Sequence, residues 1–452
     1  MTGEELASIV VAPPGPRSRT LARELRSVES RNITYVSDQF PVFFESGAGA
    51  NLVDVDGNRY VDLSGAFAVA AAGHSNPKVA QAVGRQAATL LHGMGDVHPN
   101  ALKVELAKTL CDLTPGEGPK RVIFATSGAE AVEAAIKTAA VASGKPGVLC
   151  FGGAYHGLTY GALEVTDRQL FRAPFVRQLG HFATRVPYAY CFRCPIGLTY
   201  PACAVACLRL VEQALDGPGG GDIGAILVEP FQARGGDVPA PVDWLRGLRA
   251  LCDRRGLLLI ADEIYTGFGR TGAWFACNHA GVVPDLLCAG KGMSSGFPIS
   301  ACIGSARVMD AWPESGGEAI HTSTFLGNPA GCAAALASIQ EMRDRGLVER
   351  AARLGTLARQ LLDELRANCA GCIGDVRGRG LMWGLECVDA AGEPDGVLAG
   401  NVVARALTSG VVVLCAGPAG NVIQLAPPLV ITEEQLRFGV RTVESALKAL
   451  AK

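Results

Sequence analysis

No excess of charge of either sign marks this 452-residue chain. Its net charge of −2 gives no footing to nucleic acid or an anionic membrane surface as a partner. Nor does any apolar run approach the roughly 18 residues a membrane-spanning helix needs. The first residues, MTGEELASIVVAPPGPRSR, start acidic and carry only a short apolar piece, so they do not read as a secretion signal. They are expected to form a loose lead-in segment, and the expected location is the cytoplasm. Repeats and low-complexity tracts are absent as well. Cysteine, by contrast, is plentiful. Fifteen is an odd number in a long chain without a secretion signal, which favours reduced thiols, most of them in the core.

At this length the chain exceeds one small domain and calls for a large α/β domain with a smaller companion. Residues 52–63, LVDVDGNRYVDL, read as a hairpin turning at Asp56-Gly57-Asn58. From about residue 80, short apolar strands alternate with helices. RVIFAT (121–126), GVLCF (147–151), AILVEP (225–230), LLLIAD (257–262) and DLLCAG (285–290) are the strands. EAVEAAIKTAAVAS (130–143) and VDWLRGLRALCDRRG (242–256) repeat at helical period. The alternation implies a mostly parallel sheet covered by helices on both faces. After Asn328-Pro329 a long Ala-rich helix begins. Strands GLMWGLEC, GVVVLC and NVIQLA then alternate with helices up to EEQLRFGVRTVESALKALAK. The expected division is a large domain over 80–329 and a small α+β domain over 330–452, which residues 1–79 join.

Ligands of open α/β sheets sit beyond the carboxyl ends of the strands. After RVIFAT, Ser127-Gly128-Ala129-Glu130 opens a helix and leaves backbone N–H groups for an anion such as a phosphate; taken alone it is also an ordinary Ser N-cap. After GVLCF, Gly152-Gly153-Ala154-Tyr155-His156-Gly157 offers an aromatic that could stack on a flat ring, or simply a packed tyrosine. After LLLI comes Asp262, costly at the end of a buried strand without a cationic partner. A protonated pyridine nitrogen would be such a partner, with Ile264 on the ring face opposite Tyr155. Lys291 then ends the apolar strand DLLCAG, followed by a small, polar loop. A desolvated lysine there has a lowered pKa and becomes a nucleophilic amine. HTSTFLGNPAG (321–331) adds Thr324, which could bind a phosphate or form part of a polar turn.

Taken in order, VDVDGNRYVDLSGAFAVAAAGHSNP, TSGAEAVEAAIK, AYHG, VEPFQARGG, LLLIADEIYTGFGRTG, PDLLCAGKGMSSGFPIS, STFLGNPAG, DVRGRGLMWG and APPLVIT resemble the class III, or ω-, aminotransferases from about residue 35 to the end. The resemblance implies pyridoxal 5'-phosphate as cofactor and the type I fold of that enzyme group. It makes Lys291 the Schiff-base lysine, carried on glycine hinges, and Asp262 the partner of the pyridine nitrogen. Tyr155 and Ile264 cover the ring, with His156 beside them. Ser127, Gly128 and Ala129 hold the phosphate. Glu229, Gln232 and Tyr265 stand on the ring's oxygen side. Thr324 reaches the phosphate of a partner subunit, so a homodimer with shared active sites is implied. Phe67, Arg234 and Gln424 become candidate substrate contacts.

Three departures from the family pattern bear on substrate. Relatives acting on α- and ω-amino acids often pair a Glu after EPxQ with an Arg before PPL; here those places hold Arg234 and Gln424. A glutamine cannot grip a carboxylate as arginine does, so the usual α-amino-acid site is lost, and an arginine at 424 would be expected to restore it. Arg234 either binds an anion from another direction or faces solvent. Tyr265 replaces a frequent Gln, and its phenol can donate to the ring oxygen. Finally, Cys191, Cys194, Cys203 and Cys207 have spacing that could bind zinc, although reduced structural thiols are the plainer reading and no metal is expected.

The implied reaction is transfer of an amino group from a primary amine to a keto acid or aldehyde. The amine is an ω-amino acid, a diamine or an amino sugar, the last as in aminoglycoside assembly. A racemase, aminomutase or elimination enzyme would use the same Lys291 and Asp262, and a non-catalytic cofactor-binding protein is the third alternative.

Overall fold

The structure is a computed structural model, and residues 1–450 are described. Its centre is a seven-stranded sheet built from β1 (Lys120–Ala125), β2 (Gly147–Phe151), β3 (Ala183–Val186), β4 (Ile223–Val228), β5 (Leu258–Asp262), β6 (Leu286–Ala289) and β7 (Ser300–Ser305). Their spatial order is β1-β7-β6-β5-β4-β2-β3. Six strands run one way; β7 alone is antiparallel to both neighbours, pairing Ala301 with Ala289 and with Phe124. The mostly parallel sheet expected from the alternation is therefore present. Every residue of β2, β4, β5 and β6 is buried, which is why these strands read as unbroken apolar runs. On one face the helix Gly128–Ser143 packs with a stripe of small residues, Ala131, Ala134, Ala135 and Ala139, letting its backbone approach the strands. On the other, Phe151, Tyr188 and Trp244 meet edge to face with ring centroids 5.1–5.8 Å apart. Contacts of that geometry add about 0.5–1.5 kcal/mol each beyond the area they bury.

The predicted hairpin forms from Asn51–Asp54 and Arg59–Asp62. Val411–Val412 adds to it in parallel, joining the two ends of the chain in one sheet. A second sheet, entirely antiparallel, is ordered Ile373–Arg379, Met382–Cys387, Val422–Leu425, Leu414–Ala416. The helix Glu433–Leu450 closes the chain, and Gln435 at its start donates to Gly3 O and Asn51 Oδ1.

The lead-in segment is not loose. Residues 16–28 form a helix with Pro16 in its first turn, where the missing N–H costs nothing. Its free N–H groups find Asp56 of the hairpin turn, which accepts from Arg17 N at 2.8 Å and from Ser18 N and Oγ at 2.9 and 2.7 Å. Its cap thus comes from forty residues downstream and could not be seen locally. Among the described residues, no helix is long and apolar enough to cross a membrane.

Candidate active site

The carboxyl ends of β1, β2, β4, β5 and β6 open into one cavity of about 530 Å³. Gly128, Ala129, Tyr155, His156, Glu229, Arg234, Asp262, Ile264, Tyr265, Lys291 and Phe67 all line it.

Ser127 is the N-cap of the helix after β1, and the cavity is lined by the two residues that follow it, Gly128 and Ala129. Ser127 Oγ accepts the Glu130 N–H at 3.3 Å, while Glu130 Oε2 accepts from Thr126 N at 2.7 Å and Ser127 N at 3.3 Å. This capping box ties the helix start to β1 and leaves the N–H groups of Gly128 and Ala129 pointing out of the helix end. A Cβ on Gly128 would stand 3.0 Å from two carbons of Ile264, so only glycine lets that turn come up against the cavity wall.

Asp262 ends β5 and is fixed on both oxygens. His156 Nδ1 lies 2.7 Å from Oδ2, and Ile264 N donates to Oδ1 at 3.1 Å. His156 is itself buried, and its Nε2 has no partner among the described residues. Glu229, just beyond β4, accepts from Tyr155 N at 3.0 Å and Ala233 N at 3.1 Å. Burial pushes its carboxyl up to about 7, with nearby His156 working in the opposite direction.

Lys291 follows β6 by two residues. Desolvation of its ammonium holds its pKa below the ordinary lysine value, against the pull of Asp262 and Glu229. Its Nζ is 5.0 Å from the centre of the Tyr265 ring. The glycine-hinge expectation changes here. The residue with left-handed backbone is Lys291 itself, at φ +42°. Gly290 is extended, and both flanking glycines answer to crowding: a Cβ on Gly290 would lie 3.3 Å from Ser300 Cβ, and one on Gly292 3.2 Å from Ala71 Cβ. A non-glycine residue in that conformation costs of order 1–2 kcal/mol, typical of strain kept at functional sites.

The remaining candidates lie as follows. Tyr155 stands edge-on to Phe171 at 5.8 Å. Gln232 is buried behind the wall, where its Nε2 donates to Gly152 O at 2.9 Å and braces the turn carrying Tyr155. The Tyr265 hydroxyl, expected to reach a ring oxygen, donates instead to Gln424 Oε1 at 2.9 Å. Gln424 passes the contact on, its Nε2 bonding both oxygens of Asp237 at 2.8 and 2.9 Å. This buried chain of Tyr265, Gln424 and Asp237 forms a closed polar floor. Phe67 overhangs the mouth, exposed, in a left-handed turn shared with Ala66 and Ala68. Thr324 is exposed and lies outside its own chain's cavity. Cys191, Cys194, Cys203 and Cys207 line one small apolar cavity remote from Lys291. Among the described residues, no group of three or more His, Cys, Asp or Glu is placed to hold a metal ion.

Asp237 was not legible beforehand; the signal was a lone acid after Gly235-Gly236, easily taken for a surface turn. Yet it is fully buried, and burial raises its carboxyl well above the usual range.

The cavity fits a flat, phosphorylated pyridine. A helix start with free N–H groups suits the phosphate, a doubly held carboxylate suits a ring nitrogen, Tyr155 and Ile264 supply two walls, and a desolvated amine suits an aldehyde. Fold and site together define a pyridoxal-phosphate enzyme of the type I aminotransferase architecture. The chain belongs to the class III aminotransferases: the family model "Aminotransferase class-III" matches residues 33–447. It is 38% identical over 445 residues to a 4-aminobutyrate aminotransferase of Mycobacterium leprae, covering 97% of both chains. It is 34% identical to a leucine/methionine racemase of Thermococcus litoralis, covering 93% of this chain and 92% of that one. Among solved structures, an (S)-enantioselective omega-transaminase from Thermomicrobium roseum superposes with a TM-score of 0.89 at 28% identity, covering 96% of this chain and 99% of that one.

Proposed function

We propose that this enzyme moves the amino group of an ω-amino acid, 4-aminobutyrate or a homologue, to a keto acid or aldehyde, acting through Lys291 as a homodimer. The observation that carries the reading is the meeting of Lys291, Asp262 and the Gly128–Ala129 helix start in one cavity. Of the amines left open by the sequence, the ω-amino acid is favoured by the 4-aminobutyrate relative.

Pyridoxal phosphate, when bound, supplies an aldehyde that takes up amines and an electron-withdrawing ring that accepts the pair of a broken C–H bond. The chain's own residues do the rest. Gly128 and Ala129 N–H groups would hold the phosphate. Asp262, oriented by His156 and Ile264 N, would favour a proton on the ring nitrogen. Tyr155 and Ile264 would supply the walls for the ring. Lys291, whose ammonium form is disfavoured by desolvation, would offer Nζ as the nucleophile toward the cofactor's aldehyde and would serve as the proton carrier at the substrate carbon. Thr324, on an exposed segment, is available to the second subunit's phosphate. Residues 1–79 and 330–452 together form the small domain beside 80–329, a division supported by the shared sheet of Arg59–Asp62 and Val411–Val412. Fifteen unpaired thiols fit a cytoplasmic enzyme.

The racemase among the relatives gives a second reading weight, since both reactions would begin with removal of the substrate-carbon proton by Lys291 and differ in whether a proton is then placed on the cofactor or returned to the opposite face of that carbon. Incubating holoenzyme with 4-aminobutyrate alone, and in a second reaction with L-leucine alone, separates them. Transfer yields about one aldehyde per active site and then stops until a keto acid is added. Inversion of an α-amino acid with no aldehyde and no need of a second carbonyl would sink the transferase reading.

The structure also alters the expectation for position 424. A guanidinium at Gln424→Arg meets the buried Asp237 carboxylate and is held there as an ion pair, so it is not free for a substrate carboxylate. The kcat/KM ratio of glutamate to 4-aminobutyrate is expected to stay within about threefold of wild type. A gain beyond tenfold for glutamate would show the arginine free.

A further inference from the structure

One cationic side chain on the cavity wall has no task in the chemistry above. Arg234 is half-buried beside Tyr155, its guanidinium carbon 5.9 Å from that ring's centre, and it makes no ion pair or side-chain hydrogen bond among the described residues. Its backbone is nonetheless pinned. Arg234 O accepts from Gly417 N at 3.0 Å, and two residues on Gly236 O accepts from Arg377 Nε at 2.9 Å. A fixed backbone with an uncommitted charged end describes a side chain kept ready for a ligand.

A second unpaired guanidinium stands nearby. Arg168 lies 5.5 Å over the Phe171 ring, and Phe171 in turn meets Tyr155 edge-on at 5.8 Å. The row Arg168–Phe171–Tyr155–Arg234 thus sets two cations on one aromatic ridge, of which Tyr155 and Arg234 line the cavity and Phe171 and Arg168 stand behind it. Each opposes the other's charge, and Arg168 is held below the ordinary arginine value by burial first and by Arg234 second. Two like charges brought together without an acid between them are unfavourable in the empty site and favourable once an anion bridges them. Other ionisable groups of the cavity are engaged within the chain: Glu229 accepts from Tyr155 N and Ala233 N, Asp262 pairs with His156 Nδ1 and Ile264 N, and Tyr265 donates to Gln424.

We propose that Arg234 and Arg168 form the anion site of this enzyme, taking the carboxylate remote from the reacting amine or carbonyl. The inference rests on the transferase reading and narrows it. Because no carboxylate among the described residues forms an ion pair with Arg234, although Asp237 and Glu229 stand nearby, the charge is presented to every substrate. Acids with a remote carboxylate are selected, and a diamine, whose second ammonium would face two guanidinium groups, is rejected.

The test uses holoenzyme, wild type and the variants Arg234→Met, Arg234→Lys and Arg168→Met, with retention of the cofactor's visible band as the check of folding. Calorimetry with glutarate, a dicarboxylate that cannot react, reads the site without turnover, so it stands even where no amino group is transferred. Wild type is expected to bind glutarate, Arg234→Met to bind it about tenfold to hundredfold more weakly, Arg234→Lys to recover part, and Arg168→Met to lose a smaller factor. In kinetics, Arg234→Met is expected to raise KM for 4-aminobutyrate by a similar factor with kcat changed far less, and to narrow the preference over 1,4-diaminobutane. Glutarate binding unchanged in both methionine variants, or a wild type that prefers the diamine, overturns the proposal. Aldehyde release that fails while glutarate binding still depends on Arg234 overturns the transferase reading instead. Should Arg234→Met lose the cofactor band, Arg234→Lys and Arg168→Met decide alone.

Discussion

Replacing Lys291 with alanine is expected to lower turnover by more than about 10⁴-fold, the product of losing a nucleophile and a proton carrier in one group. The cofactor should still bind through the Gly128–Ala129 helix start and Asp262, but its visible spectrum should become that of the free aldehyde. The two readouts separate chemistry from folding. The left-handed backbone at Lys291 strengthens the case, because nothing in the packing of Gly290 and Gly292 demands a lysine there. Multiple turnover within tenfold of wild type in Lys291→Ala would remove the basis of the mechanism.

Asp262→Asn is expected to cost about 10³-fold in kcat, in the range seen when one fixed electrostatic group is taken from a site. Asparagine keeps the shape of the residue and can keep the contact with Ile264 N. It cannot hold a neighbouring nitrogen protonated, and its amide sets a donor or neutral acceptor against His156 Nδ1 in place of a carboxylate. Cofactor affinity should fall much less than kcat, since the phosphate cradle and ring walls remain. Measured kcat and cofactor dissociation together check this. A kcat within tenfold of wild type would mean the ring nitrogen does not depend on Asp262.

Much of this site could be read in advance because each residue stands where an apolar strand stops. Asp262 and Lys291 are conspicuous as charges at the ends of β5 and β6, and the small residues opening the helix at Gly128 stand out likewise. What escaped reading depended on distant contacts. Strand β7, SACIGS, looked like part of a polar loop because it follows one and is rich in small residues; it is a strand because β1 and β6 each supply a ladder to it. GVVVLC promised one strand but is divided into Val411–Val412 and Leu414–Ala416, the two pieces serving different sheets. The helix at 16–28 has its cap on Asp56. The Tyr265–Gln424–Asp237 chain joins positions 159 and 187 residues apart, and no local pattern predicts which acid will meet which amide.

Strand β7 also dictates an order of events during synthesis. β1, which feeds the helix start proposed to hold the phosphate, has only β7 as a neighbour in the sheet among the described residues, through pairings that reach from Lys120 to Ser305. Until residue 305 has left the ribosome, no strand pairing ties β1 to the rest of the sheet, and the helix Gly128–Ser143 is held to β4, β5 and β6 by side-chain packing alone. Closure of the sheet at β1 is therefore a late step in the life of each chain, the slow kind of long-range pairing. The nascent chain must remain soluble with the apolar strand β1 still unpaired until then.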